Sequence, residues 1–379
     1  MLLKRVNARK ILDSRKEPTI EVSINGIKAS SPSGKSTGKY ETPRYRKNLS
    51  QSVKDINSLN FSKAAVNKFS DLSIIEEIIK KRFKLKDAKQ FGANALFALE
   101  SAILKALAKE KSLELFQVLT KKPKKIPIPV GNAVGGGLHS HNKDKPTFQE
   151  FLLIPKENSI KLNVKTISQI HTKLKNKLKA KNKNDEGAWQ TSLNNEQILE
   201  ILSKQKNIRI GLDVAASSFF KNGDYIYKNK TLNKQAQIHY INSLIKDYNI
   251  LYCEDPLDEE DFEGFSKIKR SPTHLIVGDD LTATQISRLK KAIKTKAINA
   301  MIIKPNQNGS LIELAEIFKL CKKHNIKTIL SHRSGETMDN ALADLAVGFG
   351  ADFIKTGIST KWREVKLKRL VEIEGEMNE

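Results

Sequence analysis

Apolar stretches in the second half of the chain end, one after another, on polar or charged residues. In order they are Ile208–Asp213, Ile250–Glu254, Leu275–Asp279, Met301–Lys304 and Phe353–Lys355, with Thr328–Arg333 between the last two. From Glu254 through Asp279, Lys304, His332 and Lys355, the polar ends recur at intervals of 23 to 28 residues. One strand, one helix and two short loops occupy about that length, so the pattern predicts an α/β fold, an eight-stranded (β/α) barrel. Residues at the carboxyl ends of successive barrel strands face one common mouth. Three acids, two lysines and a His-Arg pair are therefore expected to converge.

The first part of the chain has a different texture. Residues 1 to about 50 alternate as strands do and contain the turn signals Asn25-Gly26 and Pro32-Ser-Gly-Lys-Ser-Thr-Gly38, which predict a small antiparallel sheet. Residues 52–118 read as helical, and Ala93–Ala108 is apolar enough to be a buried helix. The run from Lys121 to Pro129, with three prolines and four lysines, breaks that pattern. We place the division there: residues 1–122 as an α+β capping domain, 123–379 as the catalytic barrel. Strands at Ile128–Ala133 and Phe148–Ile154 precede the next helical stretch, so the barrel is expected to start irregularly.

Composition narrows the functional classes. The 379 residues suffice for a barrel of roughly 250 residues plus a smaller domain. No apolar stretch approaches the roughly 18 residues of a membrane span, and Met1–Arg15 lacks the apolar centre of a secretory signal, which predicts a cytoplasmic protein without a membrane partner. Cys253 and Cys321 lie in apolar segments without metal-ligand spacing and read as buried structural residues. The formal charge of +25 is supplied mostly by lysines scattered over nearly every predicted helix. Asparagine and isoleucine are abundant too, and all three have A/T-rich codons, so compositional bias over solvated faces explains the charge better than a surface selected for nucleic acid. The densest basic stretch, Lys173–Lys183, carries Ile167, Ile170, Leu174 and Leu178 at helical spacing and reads as an amphipathic helix packed on the barrel.

Several constellations carry chemistry. Ala29 to Ser36 fits a relaxed P-loop pattern, but Thr37 to Pro43 is too broken to form the helix whose amino terminus would meet phosphate. A Gly/Ser loop over an active site accounts for it better. Asp213, Glu254 and Asp279 on separate strands would repel one another without a cation, and hard oxygen ligands suit Mg²⁺. Lys304 and Lys355 could neutralise the acids, or one could act as a base on a carbon acid if nearby cations depress its pKa. Ser331 to Thr337 adds a guanidinium and hydroxyls suited to phosphate. Asp185-Glu186-Gly187 offers a loop carboxylate as general acid.

Together these residues closely resemble the enolase family, nearly end to end. Asp13 to Val22 is similar to its amino-terminal signature, Pro32 to Gly38 to its first catalytic loop, Gly92 to Ala95 to its buried helix, and Gln149-Glu150-Phe151 to its second-strand motif. Ser331-His-Arg-Ser-Gly-Glu-Thr337 with Ile354-Lys-Thr-Gly357 is the most specific match. The resemblance implies an Mg²⁺-dependent lyase interconverting 2-phosphoglycerate and phosphoenolpyruvate, assembled as a homo-oligomer, a dimer or higher. It implies that Asp213, Glu254 and Asp279 hold one Mg²⁺, and that Ser36 helps hold a second with the substrate phosphate. Lys304 would take the C2 proton, and Glu186, supported by Glu150, would protonate the departing 3-hydroxyl. Lys355 would contact the substrate carboxylate and Arg333 with Ser334 its phosphate, with Gln149, His332 and an active-site histidine alongside. Gly-Gly-x-His spacing selects His139 for that histidine, whereas counting back from Glu150 selects His141; we prefer His139. Gly187-Ala-Trp-Gln replaces the family's Gly-Gly-Phe-Ala-Pro after the acid. The rivals are a superfamily enzyme acting on another carboxylate and a non-catalytic relative that binds RNA or protein.

Overall fold

The computed structural model describes residues 1–35, 37–61 and 64–378. In the amino-terminal part, β1 (Val6–Leu12), β2 (Pro18–Ile24) and β3 (Ile27–Ser30) form an antiparallel meander. Asn25 and Gly26 both have positive φ (51° and 88°), the backbone a two-residue hairpin turn of matching twist requires. Helices α1 (Leu49–Asn57), α2 (Leu72–Phe83) and α3 (Ala93–Glu110) follow. The stretch expected to be helical over 52–118 is thus interrupted: 58–61, 64–68 and 84–87 are irregular, and Lys84 closes α2 in the left-handed conformation. Nearly every side chain of α3 is buried, and the helix packs against β2 and β3. No helix follows the Gly/Ser loop until Leu49, so a phosphate-binding helix terminus is lacking among the described residues.

After the irregular segment 120–127, eight strands close into a barrel. They are β4 (Ile128–Gly135), β5 (Glu150–Pro155), β6 (Ile208–Asp213), β7 (Tyr252–Glu254), β8 (Leu275–Gly278), β9 (Ala300–Ile303), β10 (Lys327–Ser331) and β11 (Phe353–Lys355). Each pairs with the next, and β11 pairs with β4 to complete the ring. All pairings are parallel except those of β5, which runs antiparallel to β4 and β6. The irregular start is this reversed strand. Parallel barrel strands are covered on both faces, which explains their continuous apolar runs. Leu152, Tyr252, Val277, Ala300, Ile302, Ile329 and Phe353 fill the barrel interior, while alternate residues such as Met301 and Ile303 join the core beneath the outer helices.

Period-two alternation carries this inward face into the mouth. Glu254 lies two residues beyond Tyr252, Asp279 beyond Val277, Lys304 beyond Ile302 and Lys355 beyond Phe353. Because β5 is reversed, its amino-terminal residue, Glu150, reaches the same rim and stands opposite Asp213. The basic helix α4 (Ile160–Lys177) ends sooner than its lysine run suggested. Lys179 turns left-handed (φ 51°) and Ala180 N–H caps the Lys175 carbonyl, so residues 178–183 leave the helix and lead back toward the mouth. Cys253 and Cys321 are buried free thiols.

Candidate active site

The mouth is a pocket of about 440 Å³, bordered on one side by Gly34, Lys35, Gly38, Lys39 and Glu41 of the cap loop. The cap is tied to the barrel by backbone hydrogen bonds between Ser33 and Gly335 (2.8 and 2.9 Å) and from Ser14 N–H to the Glu336 carbonyl (2.8 Å). Ser36, the residue expected to help hold a second ion, lies outside the described residues.

Lys355 occupies the centre. Its Nζ sits 2.9 Å from both carboxylate oxygens of Glu254, 3.0 Å from Glu150 and 3.4 Å from Asp213. Burial opposes its charge, but Glu150, Glu254 and Asp213 outweigh that and hold the ammonium pKa well above its ordinary value. Burial, together with mutual repulsion, raises the carboxyl pKa values of Glu254 and Asp213 despite the lysine. Tyr252 donates to Glu254 at 2.6 Å and Gln149 to Asp213 at 3.2 Å.

Lys304 pairs with Asp279. The sequence led us to expect that cations would depress one lysine. Burial does lower Lys304 and Arg333 adds to that, but Asp279, Asp280 and Glu254 prevail and hold its pKa above the ordinary value. In this arrangement Lys304 is charged, and something must offset Asp279 before it can accept a proton.

Glu150, Glu186 and His139 form a third group, with ligand atoms within 4.8 Å of one another. His139 Nδ1 lies 3.1 Å from Glu150. Burial works against both charges, yet Glu186 is held down to about 2, chiefly by His139 and Arg363, and His139 is pushed up to about 8, chiefly by Glu186. At neutral pH the exchangeable proton resides on the imidazole. His141 is exposed, and its backbone N–H binds Gln190. His332 is buried 3.9 Å from Glu186, and burial with Arg363 nearby keeps it neutral.

Arg333 is engaged by a residue the sequence did not single out. Its NH2 group donates to both oxygens of Glu41 on the cap loop at 3.1 and 3.0 Å, and NH1 donates to Asn306 at 3.1 Å. Ser334 Oγ is buried without a hydrogen-bond partner and lines the pocket beside Arg333. Arg363, also unforeseen, supports this turn by donating to the Ser334 carbonyl at 3.0 Å. Nothing in its local sequence marks it; its role arises from the packing of the last helix.

Asp213, Glu254 and Asp279 interact electrostatically, but the three do not form a set whose ligand atoms all lie within 4.8 Å of one another. Asp255, Asp279 and Asp280 do converge. Asp255 accepts the backbone N–H groups of Asp279 (3.0 Å) and Asp280 (2.7 Å), and burial with neighbouring acids raises Asp280 to about 7. Two more acids thus follow the predicted pair directly in sequence, a signal available in Glu254-Asp255 and Asp279-Asp280. The donor set fits a divalent cation on two grounds. At the barrel rim seven carboxylates (Glu150, Glu186, Asp213, Glu254, Asp255, Asp279 and Asp280) surround the two strand-end lysines Lys304 and Lys355, and Asp279 Oδ1 is buried without a partner.

The loop carrying Glu186 is braced from behind. Asn184 accepts from Glu186 N–H and Ala188 N–H at 3.0 Å each, and the Gly187 carbonyl faces His171 at 3.0 Å and accepts from Ser359 at 3.2 Å. His171 also stacks on Trp189. Burial, then Lys183, lowers its pKa from 6.5 to about 4, against the Gly187 carbonyl. Between those values the unfolded chain binds the proton and the folded one does not, so stability is full above pH 6.5 and falls as pH drops toward 4, by up to about 3 kcal/mol. His171→Gln should flatten this slope in denaturant titrations at several pH values; an unchanged slope would show that another group causes it.

A capped barrel whose mouth gathers acids around two lysines, with a guanidinium and a free hydroxyl to one side, defines a lyase site for an anionic carbon acid. Two family models, described as the enolase N-terminal domain and the enolase C-terminal TIM barrel domain, match residues 3–119 and 123–379. Curated proteins named enolase are similar over almost the whole chain. That of Methanosphaera stadtmanae is 36% identical, covering 99% of this chain and 97% of the relative. That of Methanocorpusculum labreanum is 37% identical, covering 97% of each, and that of Archaeoglobus fulgidus 34%, covering 99% and 97%. The chain belongs to the enolase family. Its reaction is the dehydration of 2-phosphoglycerate to phosphoenolpyruvate, a carbon–oxygen lyase reaction.

Proposed function

We propose that Lys304 removes the C2 proton of 2-phosphoglycerate while Glu186, supported by Glu150 and His139, protonates the leaving 3-hydroxyl. The observation that carries this assignment is the arrangement of these groups around the ring. Glu150 on β5 and Lys304 on β9 are four strands apart in a barrel of eight, so base and acid flank the pocket from opposite sides. A substrate between them loses H⁺ from C2 on one face and OH from C3 on the other, with the C–H electron pair forming the new double bond. Water departs with a proton delivered through Glu186 from His139, which carries it at neutral pH.

Lys355 binds the substrate carboxylate, with Gln149 and His332 bordering it. Arg333 and Ser334 take the phosphate, which must displace Glu41. The carboxylates of Asp213, Glu254 and Asp279 would hold Mg²⁺, and Ser36 would help to hold a second ion. When bound, the metal supplies positive charge that offsets Asp279 and stabilises the carboxylate dianion formed on proton loss. A lysine base working beside magnesium is the known pattern of the enolase superfamily, and the roles given to these residues follow that pattern. We further assign the capping domain to residues 1–122 and the barrel to 123–379, and read the protein as a cytoplasmic homo-oligomer of glycolysis and gluconeogenesis. No helix among the described residues is long and apolar enough to cross a membrane.

Formation of phosphoenolpyruvate from 2-phosphoglycerate, followed by absorbance with and without Mg²⁺, tests the assignment; turnover undiminished after chelation would overturn the metal's role. Arg333→Ala should raise KM by roughly ten- to a hundredfold, the loss of a charge-assisted contact, with a smaller change in kcat. A fall in kcat at constant KM would place Arg333 elsewhere in the reaction.

A further inference from the structure

The foot of the barrel, opposite the mouth, carries a second cavity of about 750 Å³. Its walls are the segment 120–125, helix α5 (Leu311–Lys323), the turn leading into β10 and the turn before β11. It lies at the amino ends of strands, where barrels do not place catalytic groups.

Six lysines line it, Lys122, Lys124, Lys125, Lys319, Lys322 and Lys327, against one acid, Asp352. The chain as a whole has 67 basic to 42 acidic residues, so a ratio of six to one exceeds what the general basic bias explains. Asp352 is already shared by Lys125 (2.6 Å) and Lys327 (3.0 Å). Lys122, Lys124, Lys319 and Lys322 have no anionic partner among the described residues. Six cations less one carboxylate leave an excess of five positive charges in a concave site, which focuses potential on whatever enters. The floor is apolar: Phe318, Ile326 and Val347 are buried, and the Phe349 ring stacks on Phe318 at 5.0 Å. The volume falls within the roughly 300–1,000 Å³ of small-molecule sites. Ammonium groups suit phosphate oxygens, and a single phosphate would leave most of them unmatched.

We propose that this cavity binds an anion carrying a chain of several phosphates, either a nucleoside triphosphate or inorganic polyphosphate. Binding of ATP, tripolyphosphate and adenosine to the whole enzyme can be measured by calorimetry, with excess phosphoenolpyruvate filling the mouth. ATP and tripolyphosphate should bind, adenosine should not, and added salt should weaken both. The exposed pair K319Q/K322Q should weaken binding by at least about tenfold, while kcat and KM for 2-phosphoglycerate stay unchanged. ATP binding more tightly than tripolyphosphate would give the apolar floor to a base; equal affinity would give the site to the phosphate chain alone. Absence of binding, equal affinity in the double variant, or displacement by phosphoenolpyruvate would overturn the proposal.

Discussion

Lys304→Ala is expected to lower kcat by at least about a thousandfold, within the range a positioned general base contributes. Lys304 stands across the pocket from the Glu150–Glu186 group, and its inward orientation follows from Ala300 and Ile302 beneath it. Substrate capture should change little, since Arg333, Ser334 and Lys355 remain. Mg²⁺ affinity should hold or rise, because removing the ammonium frees Asp279 from its ion pair. Stopped-flow turnover, with Mg²⁺ titrated by calorimetry, separates these effects. Near-normal rates in the variant would sink the assignment of the base.

Lys355→Ala should have the largest effect on stability. The substitution leaves Glu150, Asp213 and Glu254 buried around a missing cation, and breaking a buried pair in this way costs about 3–5 kcal/mol. In chelator the melting temperature should fall by about 5 °C. Saturating Mg²⁺ should recover part of that loss if Asp213 and Glu254 are metal ligands, because the ion then supplies the charge the lysine provided. Activity should stay low even so if Lys355 holds the substrate carboxylate as proposed. A variant as stable as the parent in chelator would mean that these acids are neutral when Lys355 is present. A deficit that Mg²⁺ does not touch would remove Asp213 and Glu254 from the metal site.

The barrel is legible in the sequence because its signal is local. A buried parallel strand reads as an apolar run, and an inward residue two positions beyond the last core residue becomes a charge at the rim. Asp279 after Val277 and Lys355 after Phe353 are found by that arithmetic alone. Glu150 is different. Its resemblance to a second-strand motif names it, but its place at the rim depends on β5 being reversed, which no pattern within Phe148–Ile154 reveals. Helical spacing carries the basic run Lys173–Lys183 too far, because the left-handed turn at Lys179 is set by how the chain must return to the mouth.

By itself the sequence determined which groups the parallel strands carry to the barrel's rim, since alternation along each strand is a property of that strand's own residues. Which groups meet was decided only in three dimensions. Lys355 on β11 reaches across the ring to Glu254 on β7, and Glu41 crosses from the cap to hold Arg333. Neighbouring cations alone would depress Lys304, yet Asp279, a carboxylate 25 positions away, raises it. A charge acquires its partner, and with it its protonation state, from strand order and loop docking, and those depend on contacts between segments far apart in the chain.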